Sequence, residues 1–321
     1  MRNVLNITNG DHAVEIMMQA EIPGVFLPWR DVLHEGPVPN GLSLEKLSEI
    51  RARYIIEHNW GKPEDILRHF AERDNTLKSF ERFEKVVLWF EHDLYDQLQL
   101  LQILDWFHWN RSRKTTLTII CVNHYLGECS PNEMKTFLNY AESITNNHLV
   151  LANYAWSAFR SDSPEKWHAL LALNTAALPY LAGTVIRLLE EYPSCTNGLS
   201  RTAQQALEII LQGERYPANI FARNQGSEER KFLGDTSFWA ILHELSASYP
   251  PLLKLSNGQR FISSSCPDQQ LTLTAEGKEI LSGSMNWLSV AKIDRWIGGV
   301  HLTPDNNWCW DSHTKSMVKH V

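Results

Sequence analysis

Apolar positions in the first part of the chain switch between the period of two expected of strands and the longer period of helices. Residues 3–8 alternate and end in Asn9-Gly10-Asp11, after which Ala13, Ile16, Met17 and Ala20 recur at helical spacing. This predicts strand, turn and helix. Pro23-Gly24 closes the helix, and Val25-Phe26-Leu27 supplies a second strand before Trp29-Arg30-Asp31, completing a βαβ unit whose crossover should be right-handed. A helical insertion is expected over 43–80: Ser43 caps a helix carrying Leu44, Leu47, Ile50 and Tyr54, and Pro63 opens another with Ile66, Leu67 and Phe70. Val86-Val87-Leu88-Trp89-Phe90 is an unbroken apolar run, the signature of a central strand covered on both faces. Leu94, Leu98, Leu101, Ile103, Leu104 and Phe107 then describe an amphipathic helix, 117–122 and 149–152 read as further strands, and a helix is expected over 131–141. The alternation predicts an α/β fold class, a Rossmann-like doubly wound parallel sheet over residues 1–160.

The pattern changes near Ser161. Ser163 and Pro164 suit the start of a long connecting helix over 161–195 that ends around Glu191. Residues 196–321 then predict a mainly helical, winged-helix-like domain. Ser200 introduces a helix with Ala203, Ala206, Leu207 and Ile210, Gly213 stops it, and Asp235 caps another with Phe238, Ile241, Leu242 and Leu245. Apolar segments at 252–255 and 271–274 flank a Gly- and Ser-containing loop as a hairpin does, and 275–281 reads as a helix. At the end, 296–302, the turn Pro304-Asp305-Asn306-Asn307 and Trp308-Cys309-Trp310-Asp311 predict an aromatic hairpin.

Composition narrows the class. A chain of 321 residues exceeds the usual size of one core, so two domains are expected, and 43% hydrophobic with 21% charged residues is the balance of a packed protein. No apolar run reaches the roughly 20 residues that span a bilayer, and the opening residues lack the apolar segment of a signal peptide, so a cytoplasmic protein with no membrane partner is expected. Cys121, Cys129, Cys195, Cys266 and Cys309 form no C-x-x-C pair and read as reduced thiols. A net charge of −7 argues against a protein that coats nucleic acid.

Ligands of open α/β sheets bind beyond the carboxyl ends of the strands. There the chain is polar: Asn9-Gly10-Asp11-His12 after the first strand, Arg30-Asp31 and His34-Glu35 after the second, Glu91-His92-Asp93 with Asp96 after the third, and Asn123-His124 after the fourth. Converging carboxylates and imidazoles bind divalent cations or transfer protons, and a guanidinium holds phosphate. Asp11, Glu91, Asp93, His34 and His92 are therefore the candidate catalytic residues. Asp11, Glu91 and Asp93 would ligate Mg²⁺ or Mn²⁺, and Asn9, Gly10, Arg30, Asp31, Glu35 and Asn123 would contact substrate. The structural alternative is helix capping by Asp11 and Asp93 and local ion pairing of Arg30 with Asp31 or Glu35. In the second half, Arg201, Arg215, Arg223, Arg230 and Lys231 would line any nucleic-acid surface, but glutamates are interspersed among them. G-x-G-x-x-G, P-loop, H-E-x-x-H and G-x-S-x-G motifs are missing, which disfavours dinucleotide dehydrogenases, P-loop ATPases, zincins and α/β-hydrolases.

The stretches ITNGD (7–11), WRDVLHEGPVP (29–39), LWFEHDLYDQLQLLQIL (88–104), GLSRT (198–202), FLGDTSFW (232–239) and WIGGVHL (296–302) resemble a bacterial family catalogued as domain of unknown function 1835 with its usual C-terminal companion. The resemblance spans nearly the whole chain and implies an architecture without a reaction. Ala203 departs from the acidic residue expected after GLSRT. The leading expectation is a metal-assisted hydrolase or transferase acting on a phosphate-bearing small molecule or nucleotide. The alternatives are a ligand-sensing regulator that binds nucleic acid, and a non-catalytic scaffold whose tryptophans mark a partner surface.

Overall fold

The computed structural model describes residues 3–112, 114–261 and 269–319. The chain divides into two compact units, one comprising Met1–Val185 with Trp296–Val300 and the other Ile186–Arg295 with His301–Val321. The change of pattern near Ser161 thus falls inside the first unit.

The first unit begins with β1 (Val4–Thr8), α1 (Asp11–Gln19), β2 (Val25–Pro28) and the two-residue β3 (Gly36–Pro37). The insertion follows as α2 (Leu44–Glu57) and α3 (Pro63–Lys78). Then come β4 (Lys85–Phe90), α4 (Leu94–Trp109), β5 (Thr116–Cys121), α5 (Pro131–Thr136), β6 (Glu142–Ser143), α6 (Asn146–Phe159) and α7 (Glu165–Ala169), and α8 (Leu181–Leu189) carries the chain across the boundary. The expected α/β class holds. A five-stranded sheet runs in the order β2-β1-β4-β5-β6, parallel except for β6, which pairs antiparallel with β5.

β4 is central and buried from Val86 onward, as its unbroken apolar run requires. Ala13 and Met17 of α1 and Met134 of α5 pack with Val87, Trp89 and Ile120 on one face of the sheet. α4, expected to be amphipathic, is instead buried almost all round from Leu94 to Leu104 because α6 packs against it. Its glutamines are correspondingly bonded: Gln97 Nε2 donates to the Glu91 carbonyl, Gln99 Nε2 to that of Asp31, and Gln102 Oε1 accepts Trp29 Nε1.

Two expected elements differ. Residues 149–152 belong to α6 rather than to a strand: Leu149, Ala152, Trp156 and Phe159 are buried at helical spacing, and the Thr145 N–H donates to His148 Nδ1 at the helix start. A four-residue apolar run does not distinguish the two periods. The expected long helix over 161–195 is broken into α7, a short 3₁₀ turn at Leu170–Ala172 and α8. Between them Asn174 Oδ1 accepts the Ala176 N–H, and Pro179 offers no amide to continue a helix.

The second unit contains α9 (Arg201–Leu211), α10 (Pro217–Gly226), α11 (Asp235–Ala247), β7 (Leu253–Leu255), β8 (Leu271–Leu273) and α12 (Ala275–Leu281). β7 and β8 form the expected antiparallel hairpin; residues 262–268 of its loop, Cys266 included, lie outside the described residues. Gly234, not Asp235, is the N-cap of α11. A buried ionic lattice ties α8 to α9: Arg187 donates to Glu191, Glu228 and Thr202. β9 (Arg295–Gly298), β10 (Val300–Leu302), β11 (Trp308–Asp311) and β12 (Ser316–Lys319) complete the chain. The aromatic hairpin is β11 with β12, not 296–302 with 308–311, because the Asp311 carboxylate accepts the His313 and Thr314 N–H groups and turns the chain there. Ile297 and Gly298 of β9 return to the first unit instead, pairing in parallel with Gly36 and Pro37 of β3. Among the described residues no helix is long and apolar enough to cross a membrane.

Candidate metal centre at the carboxyl edge of the sheet

The strand order reverses between β1 and β4: the chain steps outward from β1 to β2 on one side and from β4 to β5 on the other. A crevice opens where neighbouring strands diverge in this way, beyond their carboxyl ends. Thr8 of β1 is in register with Trp89 of β4, so Asn9 and Glu91 both lie just past the carboxyl ends of adjacent strands.

Asn9 Nδ2 donates to Glu91 Oε1 at 2.8 Å and to Asp96 Oδ2 at 2.9 Å. Glu91 Oε1 also accepts the Leu126 N–H, from the loop after β5, at 2.8 Å. Asp96 Oδ1 accepts the Glu91 N–H at 2.7 Å, and Asp93, the N-cap of α4, accepts the Asp96 N–H at 3.2 Å. The tight β4–α4 connection thereby brings Glu91, Asp93 and Asp96 together, each with a carboxylate oxygen within 4.8 Å of the others and all three buried.

Three clustered anions are costly in a poorly solvated site. Burial, reinforced by the charge of Asp93, pushes the Glu91 carboxyl up to about 8. Burial also lifts Asp93 to about 6 against the pull of backbone N–H groups, and raises Asp96 well above the ordinary range, with Glu91 and Asp93 adding to the effect. Of the three acids Glu91 lines a cleft of about 290 Å³, together with Asn9, Gly10, Asp11, Tyr95 and Tyr125 among others, while Asp93 and Asp96 lie buried behind it. Neither a scan against protein families nor a search of curated proteins finds a match to this chain.

Asp11 stands apart from the three acids: it begins α1 after the N-cap Gly10 and forms a bidentate pair with Arg30 at 2.8 and 2.5 Å, which lowers its pKa. Its side chain is 59% exposed, so it is a rim residue and no member of the buried cluster. Gly10 is extended, a conformation open to any residue, and carries no side-chain cap; the first residues of α1, Asp11 to Ala13, line the cleft. Arg30 has a left-handed backbone (φ 51°), rare for a side chain of its size and typical of functional positions.

Asp31 does not line the cleft. It is wholly buried, accepting Arg51 Nε at 2.9 Å with Arg73 at 3.7 Å, while Arg51 also donates to the carbonyls of Val32, Glu35 and Pro37. The insertion helices thus clamp the loop that follows Arg30. His34 is buried beside Glu35 (3.6 Å) and edge-on to Tyr95. His92 packs against Tyr125 and Tyr180. Asn123 is exposed past β5 and does not line the cleft.

Asp96, absent from the expected ligands, is the third acid of the cluster. Its signal was present in the spacing 91, 93, 96 directly after the unbroken apolar run of 86–90. Tyr95 and Tyr125 left no comparable signal.

Proposed function

We propose that this chain is a metal-assisted enzyme, a hydrolase or transferase acting on a phosphate-bearing small molecule or nucleotide in the cleft between β1 and β4 of a Rossmann-like sheet. The observation that carries the reading is the convergence of Glu91, Asp93 and Asp96 at the point where strand order reverses. The donor set is oxygen only, which suits hard cations such as Mg²⁺ or Mn²⁺ and not zinc. Glu91 Oε2 takes no hydrogen bond among the described residues, and rotating the Asn9 carboxamide would replace its Nδ2 donor with an oxygen ligand. A divalent cation supplies Lewis-acid stabilisation of a phosphoryl oxygen and lowers the pKa of bound water. Phosphate would meet the free amides of the first turn of α1 and the Arg30 guanidinium, which exchanges Asp11 for the ligand. The kinship with domain of unknown function 1835 is part of the same proposal and adds no reaction to it.

Calorimetric titration with Mg²⁺ and Mn²⁺ tests the reading. Wild type should bind one ion per chain, and Asp93→Asn, which keeps the helix cap because Asn caps as well as Asp, should bind at least tenfold more weakly. Heat-free titration of wild type with both ions would sink the metal centre. For the substrate, phosphate release from a panel of nucleoside and sugar phosphates should depend on added cation and fall at least tenfold in Arg30→Ala.

A second reading, a regulator contacting nucleic acid through a winged-helix-like second unit, draws on the order of three helices followed by a hairpin. Against it, α11 carries no Lys or Arg, and Arg201 is engaged by Glu190 and Glu229. A mobility shift at low salt that weakens as salt rises would favour it.

A further inference from the structure

The second unit holds a cavity of about 550 Å³, separate from the sheet-edge cleft and independent of the reading above. Its walls come from the first turn of α9 at Ala203, from Ile241 and Leu245 on α11, and from Trp287, Ala291 and Ile293 on the segment that leads to β9. Cavities that hold small organic molecules run roughly 300–1,000 Å³ and combine a largely apolar lining with a few polar groups. Those conditions are met here. At the mouth, Tyr249 and Val290 are exposed at 87% and 41%, an apolar rim on a concave surface rather than scattered single residues.

The charged groups of the lining are few. Lys292 and Arg295 face a single acid, Glu244. Arg295 leans on the buried Glu191, whereas Lys292 is exposed and has no ion pair or hydrogen bond among the described residues. A cation of that kind beside an apolar cavity complements a ligand with one anionic end and a carbon body.

We propose that this cavity binds an amphipathic organic anion, an aromatic or aliphatic body carrying one oxyanion that pairs with Lys292. The probes are 8-anilinonaphthalene-1-sulfonate, its neutral counterpart N-phenyl-1-naphthylamine, and dodecanoate, each added to the full chain. Wild type should give saturable sulfonate-probe fluorescence at one site per chain, and dodecanoate should displace it. Ala291→Trp, which fills the cavity, should abolish binding of both dyes. Lys292→Glu should weaken the sulfonate and dodecanoate about tenfold and leave the neutral dye unchanged. Cooperative thermal unfolding of each variant ensures that the dye reports a cavity and not a loosened fold. Should Ala291→Trp unfold, Ala247→Leu narrows the same cavity from α11. Non-saturable fluorescence in wild type, or binding that survives both filling variants, overturns the site. Equal loss of charged and neutral dyes in Lys292→Glu, or no loss of either, overturns the anionic class.

Discussion

Raising the pH in the absence of divalent cations should destabilise the chain through Glu91, Asp93 and Asp96. Their folded pKa values lie above the unfolded ones, so the stabilisation they provide is complete while the acids are protonated. It disappears as pH climbs from the unfolded value toward the folded one. For Glu91 that window runs from 4.5 to about 8. At about 1.4 kcal/mol per pH unit for one proton, the full window is worth on the order of 5 kcal/mol, an upper bound because neighbouring acids share the protons. Asp93 adds a loss of the same sign up to about 6. Glu45, held near 2 by Lys78, and Asp11, lowered by Arg30, are already ionised and contribute no slope in this range. Mg²⁺ should reverse the trend, since cation binding releases the protons; at a hundredfold excess over Kd the gain is about 2.7 kcal/mol. That gain should shrink toward about pH 5, where protons compete with the ion. Asp93→Asn removes the charge that helps raise Glu91 and should flatten the slope and reduce the Mg²⁺ gain together. Urea unfolding from about pH 5 to about pH 9, with and without Mg²⁺, measures all of this. A wild-type stability that stays level across the window, or a slope unaltered in Asp93→Asn, would refute the reasoning.

Two further outcomes concern the scaffold. Arg51→Met strands the buried Asp31 carboxylate and frees three carbonyls, so it should cost about 3–5 kcal/mol in chemical denaturation; a loss under about 1 kcal/mol would mean the clamp is dispensable. Gly277→Ala would ordinarily strengthen a helix by about 1 kcal/mol. In α12, however, the added Cβ overlaps the Leu252 carbonyl, so a loss of about 1–3 kcal/mol is expected, and a raised melting temperature would contradict the close packing.

The four parallel strands β1, β2, β4 and β5 were legible because each is an apolar run ending in a polar cluster, and the same punctuation directed attention to the carboxyl edge; the antiparallel β6, two exposed polar residues, left no such pattern. Which acids meet there was less legible. Asp11 and Asp96 both stand near a helix start, and only the register of β1 against β4 turns Asp96 inward and leaves Asp11 at the rim with Arg30. Asp31 reads as a strand-end ligand until Arg51 and Arg73, supplied by the insertion, close over it. The broken connector and α6 escaped for a related reason. Short apolar stretches carry no period of their own, and tertiary neighbours decide whether they wind or extend.

The pairing of Gly36 and Pro37 with Ile297 and Gly298 makes the first unit discontinuous along the chain. The Val38 and Gly299 amides find their acceptors only across this late return, at the Gly298 and Phe159 carbonyls, in a place so tight that any side chain on Gly299 would overlap the Arg160 backbone. During synthesis the sheet and its acids can assemble early, but the loop leading from β3 must wait for nearly all of the second unit to emerge before its last ladder closes. A fragment ending at Val185 should accordingly keep the five-stranded sheet and expose the β3 edge, to which a peptide of residues 296–300 could be added back in trans.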